Sequence, residues 1–120
     1  MRISVLVVDD DARFRRLAAR MLTRQDMVVV GQAATVAEAV EVVAALRPDA
    51  VLVDFGLPDG DGLSLVRRLA TLPWGPRIVL TSSDREATTH DAALGAGAIG
   101  FVPKSDLPDA SLLGLFTGSA

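Results

Sequence analysis

Apolar runs too short to be helices recur along this chain, and stretches of helical periodicity separate them. Residues 3–8 are continuously apolar rather than alternating, apart from Ser4, which is the pattern of a strand covered on both faces. Phe14, Leu17, Ala18, Met21 and Leu22 then follow at the spacing of one helical stripe. Residues 27–30 read as a second strand stopped by Gly31. Thr35 and Glu38 form a capping box, in which hydroxyl and carboxylate satisfy free amides, and Val36, Val40 and Val43 continue that helix until Pro48 ends it. Residues 50–53 make a third strand, followed by the turn-rich stretch 56–62 and a helix through Leu63, Val66 and Leu69. Residues 77–81 give strand four. Ser83 and Glu86 spell a second capping box, which predicts a helix to about Leu94. Residues 99–102 give strand five, and Asp106, Leu107 and Pro108 start a last short helix with proline where a missing amide costs nothing.

Five strands interleaved with five helices make an α/β fold, and such connections demand parallel strands with right-handed crossovers. The expectation is a doubly wound sheet of three layers, helices covering both faces. With 120 residues and no linker, repeat or low-complexity stretch, the chain is expected to be one domain, 1–120. Four phenylalanines and one tryptophan leave the core to Val, Leu, Ile and Ala. The absence of cysteine excludes a disulfide framework and any thiolate metal site. A formal charge of -3 offers no basic surface to nucleic acid, so none is expected to bind this domain. No apolar run approaches the roughly 20 residues of a membrane span, and no signal pattern opens the chain, so no membrane partner and a cytoplasmic location are expected.

The chemistry gathers where the strands end. The first strand stops on Asp9, Asp10 and Asp11, the third on Asp54, the fourth on Thr81 and Ser82, and the fifth on Lys104, the only lysine. In a doubly wound sheet, ligands bind outside those carboxyl ends. Crowded carboxylates repel one another, and a hard divalent cation relieves the repulsion. Magnesium suits the set, since it prefers oxygen ligands, keeps several waters and is usually held by one or two carboxylates plus a substrate phosphate. Asp54, alone on its strand end, is then a candidate nucleophile toward phosphorus. Lys104 would neutralise the incoming oxygens, and catalysis would be mostly positioning and electrostatics.

Each residue has a plainer role to weigh. Asp10 or Asp11 can cap the first helix, Asp54 can be a turn residue before Gly56, Lys104 a solvated surface lysine, and Phe101 plain core. Three motifs are declined. Residues 95–100 fit G-x-G-x-x-G but follow a helix; Asp54, Phe55 and Gly56 spell a kinase metal motif in too short a chain; and Leu63 breaks a calcium loop begun at Asp59 and Asp61. His90, the single histidine, is expected at the surface in mid-helix. Arg13, Arg16, Arg20 and Arg24 recur on one face of the first helix, a solvated stripe or a docking face.

These residues carry a family resemblance. Val7, Val8, Asp9 and Asp10, then Val53, Asp54 and Pro58 with Asp61 and Gly62, a hydroxyl ending strand four, and Gly97, Phe101 and Lys104 together resemble bacterial two-component response-regulator receiver domains, over essentially the whole chain. The resemblance implies a flavodoxin-like (βα)5 sheet of order 2-1-3-4-5. It implies phosphorylation of Asp54 by a sensor histidine kinase or a histidine phosphotransfer protein. It also implies a magnesium set of Asp10 directly, Asp9 through water, Asp54, and the backbone carbonyl of Gly56. Lys104 would pair with the phosphoryl group. Ungapped counting back from Gly97 and Lys104 puts the switch hydroxyl at Ser82, with Thr81 the neighbouring alternative. Ser82 would turn to the phosphoryl group and Phe101 would rotate into the vacated space, coupling the site to a surface of fourth helix, fifth strand and fifth helix that could also serve a homodimer.

The implied function is a signalling switch that catalyses only its own phosphorylation and dephosphorylation, not a turnover enzyme. Two alternatives stand beside it. A magnesium-dependent phosphatase with an aspartyl nucleophile usually carries a second acid where Gly56 lies, and a receiver-like module working without phosphorylation would not need the intact acid, hydroxyl and lysine set. Three departures from the pattern stand out: Asp11 is a third acid, Gly56 has no side chain to offer the phosphoryl group, and Ser105 replaces a proline that often follows the lysine, so a trans peptide is expected there. Residues 87–94 are mostly alanine and threonine, so the fourth helix should open easily.

Overall fold

The computed structural model describes residues 2–118, so Met1, Ser119 and Ala120 of the expected 1–120 domain lie outside the described residues. Five parallel strands, β1 (Ser4–Val8), β2 (Val28–Ala33), β3 (Ala50–Asp54), β4 (Arg77–Ser82) and β5 (Gly100–Pro103), form one sheet in the order β2-β1-β3-β4-β5. The helices are α1 (Ala12–Arg24), α2 (Val36–Leu46), α3 (Gly62–Leu69), α4 (His90–Ala96) and α5 (Leu112–Thr117). A small antiparallel hairpin pairs Gly56–Leu57 with Gly60–Asp61, and a 3-10 helix covers Lys104–Asp109.

Alternation along the central strands builds the three layers. Leu6, Val8, Val51, Val53, Ile78 and Leu80 face α2, α3 and α4 through residues such as Val43, Leu65 and Ala93. Val5, Val7, Leu52 and Val79 face the other way, against Phe14, Ala18 and Leu22 of α1 and Leu112 and Phe116 of α5. Continuous apolar runs thus become two opposite core faces, each buried aliphatic side chain contributing roughly 1.5–3 kcal/mol. The stripe of α1 is narrower than its spacing predicts: Leu17 stays 45% exposed. No helix among the described residues is long and apolar enough to cross a membrane.

Four local expectations are corrected. Gly31 does not stop β2 but lies inside it, because Val30 is extruded as a bulge between the Val5–Val29 and Leu6–Gly31 pairs. A Cβ at Gly31 would sit 2.9 Å from Leu46 Cδ1, so the glycine admits α2 close to the strand. The α2 capping box forms at Thr35, whose hydroxyl accepts from the Glu38 amide at 3.0 Å, yet Glu38 itself reaches the Ala34 amide, one residue earlier than the usual partner. The distant Asp59 takes the Val36 and Ala37 amides at 2.7 and 3.1 Å, and these bonds hold its carboxyl below its ordinary pKa.

The third and fourth corrections concern helix starts. Ser83 and Glu86 open no helix, since Asp84 is spent on a turn: its amide donates to Ser82 Oγ at 3.0 Å and its carboxylate accepts from the Glu86 amide at 2.9 Å. Helix α4 begins only after Thr89, whose hydroxyl accepts from the Ala92 amide, and His90 is its first residue rather than a middle one. Pro108 likewise sits inside the 3-10 helix, and α5 waits for its own cap at Ser111. No described peptide bond is cis, the one after Lys104 included.

Candidate functional site

Three acids follow β1 and meet three fates. The Asp9 amide continues the sheet by donating to the Ala33 carbonyl at 2.9 Å, its carbonyl accepts from Arg15 at 2.7 Å, and its Oδ1 accepts from the Asp11 amide at 2.8 Å. Asp9 is fully buried, and its Oδ2 meets no donor but the Lys104 ammonium, 2.7 Å away. Asp10 is exposed. Asp11 caps α1 by accepting from the Arg13 amide at 2.9 Å, so the plainer role belongs to the third acid.

Asp54 closes β3 and is only 6% exposed. The next residue is clamped on both sides: the Phe55 amide donates to the Thr81 carbonyl at 2.8 Å, and the Phe55 carbonyl accepts from the Gly62 amide at 2.6 Å. A Cβ at Gly62 would collide with the Asp54 carbonyl, which is why this turn takes glycine. Lys104 leaves β5 at the opposite wall, its Nζ 3.5 Å from Asp54 Oδ1 and 4.2 Å above the centre of the Phe14 ring.

The two hydroxyls at the end of β4 point apart. Thr81 is fully buried and donates to the Val102 carbonyl at 2.6 Å, tying β4 to β5. Ser82 lines the cleft and accepts from the Asp84 amide. A cleft of about 580 Å³ is bounded by Asp9, Asp10, Asp54, Gly56, Ser82 and Lys104, which brings the sequence-predicted pocket residues to one place. Phe101 stands outside it, half-buried against the α2–α4 side of the core, with its amide 3.4 Å from Nδ1 of the otherwise exposed His90. Sequence patterns missed three contributors: Phe14 under the lysine, Arg15 on the Asp9 carbonyl, and the His90 contact. Phe14 was legible only as core, and the spacing that sets Arg15 off the face of Arg13, Arg16, Arg20 and Arg24 does not name its acceptor.

Electrostatics follow from this packing. Burial, reinforced by the charge of Asp9, pushes the Asp54 carboxyl from 3.8 to about 6, although Lys104 and its hydrogen bond pull the other way. Burial also works against the Lys104 ammonium, but the Asp9 hydrogen bond and the charges of Asp54 and Asp9 outweigh it and hold its pKa above the ordinary value. Oxygens of Asp9, Asp10 and Asp54 lie within 4.8 Å of one another, a hard donor set with surplus negative charge and one edge open to solvent. That chemistry fits magnesium.

Comparisons with known proteins agree with one another. The family described as the response regulator receiver domain matches residues 5–112. Over 108 residues the chain is 39% identical to protein-glutamate methylesterase/protein-glutamine glutaminase 3 of Pseudomonas syringae pv. syringae (strain B728a), covering 88% of this chain and 28% of that protein. The chain therefore spans under a third of the length of such relatives. The response regulator domain of Thermotoga maritima CheB superposes with a TM-score of 0.83 at 29% identity, covering 98% of this chain and 96% of that one. A two-component response regulator of the LuxR family from Aurantimonas sp. SI85-9A1 gives a TM-score of 0.83 at 25% identity, covering 98% and 87%.

Proposed function

The chain belongs to the response regulator receiver domain family, a family of signalling switches, and from that premise we propose that Asp54 is its phosphoacceptor. In the proposed reaction an Asp54 oxygen attacks the phosphorus of a phosphohistidine. The N–P bond breaks, the O–P bond of an acyl phosphate forms, and water later returns inorganic phosphate and free Asp54. The observation that carries this reading is the meeting of Asp54, Lys104 and the Asp9 and Asp10 carboxylates at the carboxyl edge of the sheet.

Asp9, Asp10, Asp54 and the Gly56 carbonyl would hold magnesium, which when bound supplies positive charge to the phosphoryl oxygens. Lys104 lies within reach of the carboxylate to be modified and would pair with the new phosphoryl group. Ser82 would exchange its bond from the Asp84 amide for one to a phosphoryl oxygen, and that exchange would release the loop before α4 and let Phe101 turn inward. Partners on this reading are a sensor histidine kinase or a histidine phosphotransfer protein, docked along the arginines of α1, and a second copy through the α4-β5-α5 surface. The unit is taken as the whole chain, 1–120, acting in the cytoplasm and turning over no substrate but its own phosphoryl group.

Incubation with acetyl phosphate and magnesium, followed by intact mass measurement, tests the proposal. One added phosphoryl group in the native chain and none in Asp54→Asn is the expected result. Labelling of Asp54→Asn to the same extent would remove it.

A further inference from the structure

We propose that Arg15 is a positioning residue for the magnesium-binding carboxylates, an inference that rests on the reading of the cleft given above. Asp9 and Asp10 are joined by one peptide whose carbonyl belongs to Asp9, and the tilt of that peptide sets the direction in which exposed Asp10 leaves the chain. Arg15 donates to this carbonyl at 2.7 Å through one guanidinium nitrogen, while its Nε donates to Gln32 Oε1 on β2 at 3.0 Å. The Asp9 amide is bonded to Ala33 of the same strand. Asp9 is therefore referenced to β2 on both sides of its Cα, at its own amide through the backbone and, through Arg15, at the carbonyl of the peptide that leads into Asp10.

Several features set Arg15 apart from the other arginines of α1. It is half-buried where Arg13, Arg16, Arg20 and Arg24 are exposed, and of these five side chains it is the one that donates hydrogen bonds among the described residues. Its charge is spent on a neutral carbonyl, a charge-assisted bond stronger than a neutral one. A forked, rigid donor set suits this bridging role, because one planar group spans the carbonyl and the glutamine at once. Groups that orient ligands in this way tune metal affinity without touching the ion.

Charge and positioning make opposite forecasts. Removing a cation beside a site for a dication would strengthen binding if charge alone mattered, whereas loss of the peptide's anchor weakens it. Magnesium chloride titrations of the full chain, followed by backbone amide shifts, read affinity and fold together. The expected result is a dissociation constant about tenfold higher in Arg15→Ala, with partial recovery in Arg15→Lys, which can still donate to the carbonyl. Arg16→Ala, on the same helix but facing solvent, should bind at least as well as the native chain. Native-like shifts with unchanged or tighter binding in Arg15→Ala would overturn the inference. Should Arg15→Ala fail to fold, Gln32→Ala decides, since it keeps the charge and cuts the tether: weaker binding supports the role and unchanged binding overturns it. A native chain that binds no magnesium would overturn the reading of the cleft together with this inference, while binding by the native chain with an indifferent Arg15 variant overturns the inference alone.

Discussion

Lys104 stands closer to Asp9 than to Asp54, at 2.7 Å against 3.5 Å. The ammonium thus neutralises a fully buried carboxylate while remaining within reach of the one proposed to react. Phe14 beneath it supplies a π face that holds the charge over the cleft rather than in solvent.

Replacing Lys104 by methionine leaves the Asp9 carboxylate buried without its cation. The magnesium-free protein should lose about 3 kcal/mol, the order expected for breaking a buried pair from one side. Urea denaturation with and without magnesium checks this: the loss should shrink when the ion is present, and an equal loss in both conditions would contradict the pairing.

Asp54 makes stability depend on pH with a definite sign. Its folded pKa of about 6 lies above the ordinary 3.8, so between these values the folded state keeps a proton that the unfolded state has shed. Without magnesium, stability falls as pH rises through that window, by on the order of 3 kcal/mol for a shift of this size, and levels off above it. Thermal midpoints of the native chain should show this slope, and those of Asp54→Asn should lack it.

The two hydroxyls of β4 should separate stability from switching. Thr81→Val removes a buried bond to the Val102 carbonyl and should cost about 1 kcal/mol in a urea titration. Ser82→Ala should instead leave the Phe101 amide resonance unmoved by phosphorylation, while Thr81→Val still shows the response. The reverse assignment of effects would move the switch to Thr81.

Helix α4 should open before α1. It buries only Ala93 and Ala96, and Leu94 is 45% exposed, whereas α1 buries Phe14, Ala18 and Leu22. Hydrogen exchange should deplete protection in α4 well before α1; comparable protection in both would contradict this.

Much of the architecture was legible because it is local. Strand positions, the aliphatic character of the core and the acids at the ends of β1 and β3 follow from residue type and period, and the two-sided burial of β1, β3 and β4 follows from their unbroken apolar runs. The cleft itself was legible one step further on, since parallel strands must bring their carboxyl ends to one edge.

Tertiary structure decided every choice between equivalent hydrogen-bond partners. Ser83 and Glu86 spell the same box as Thr35 and Glu38, yet only the second pair caps a helix, because the Glu86 amide that Ser83 would accept is taken by the Asp84 carboxylate. Asp59 caps a helix far from it in sequence, Val30 is squeezed out so that Gly31 can meet α2, and Arg15 rather than its neighbours reaches Asp9. Periodicity is a property a short segment carries alone, whereas a donor's choice among acceptors is a competition whose other contestants arrive only when the chain has folded around it.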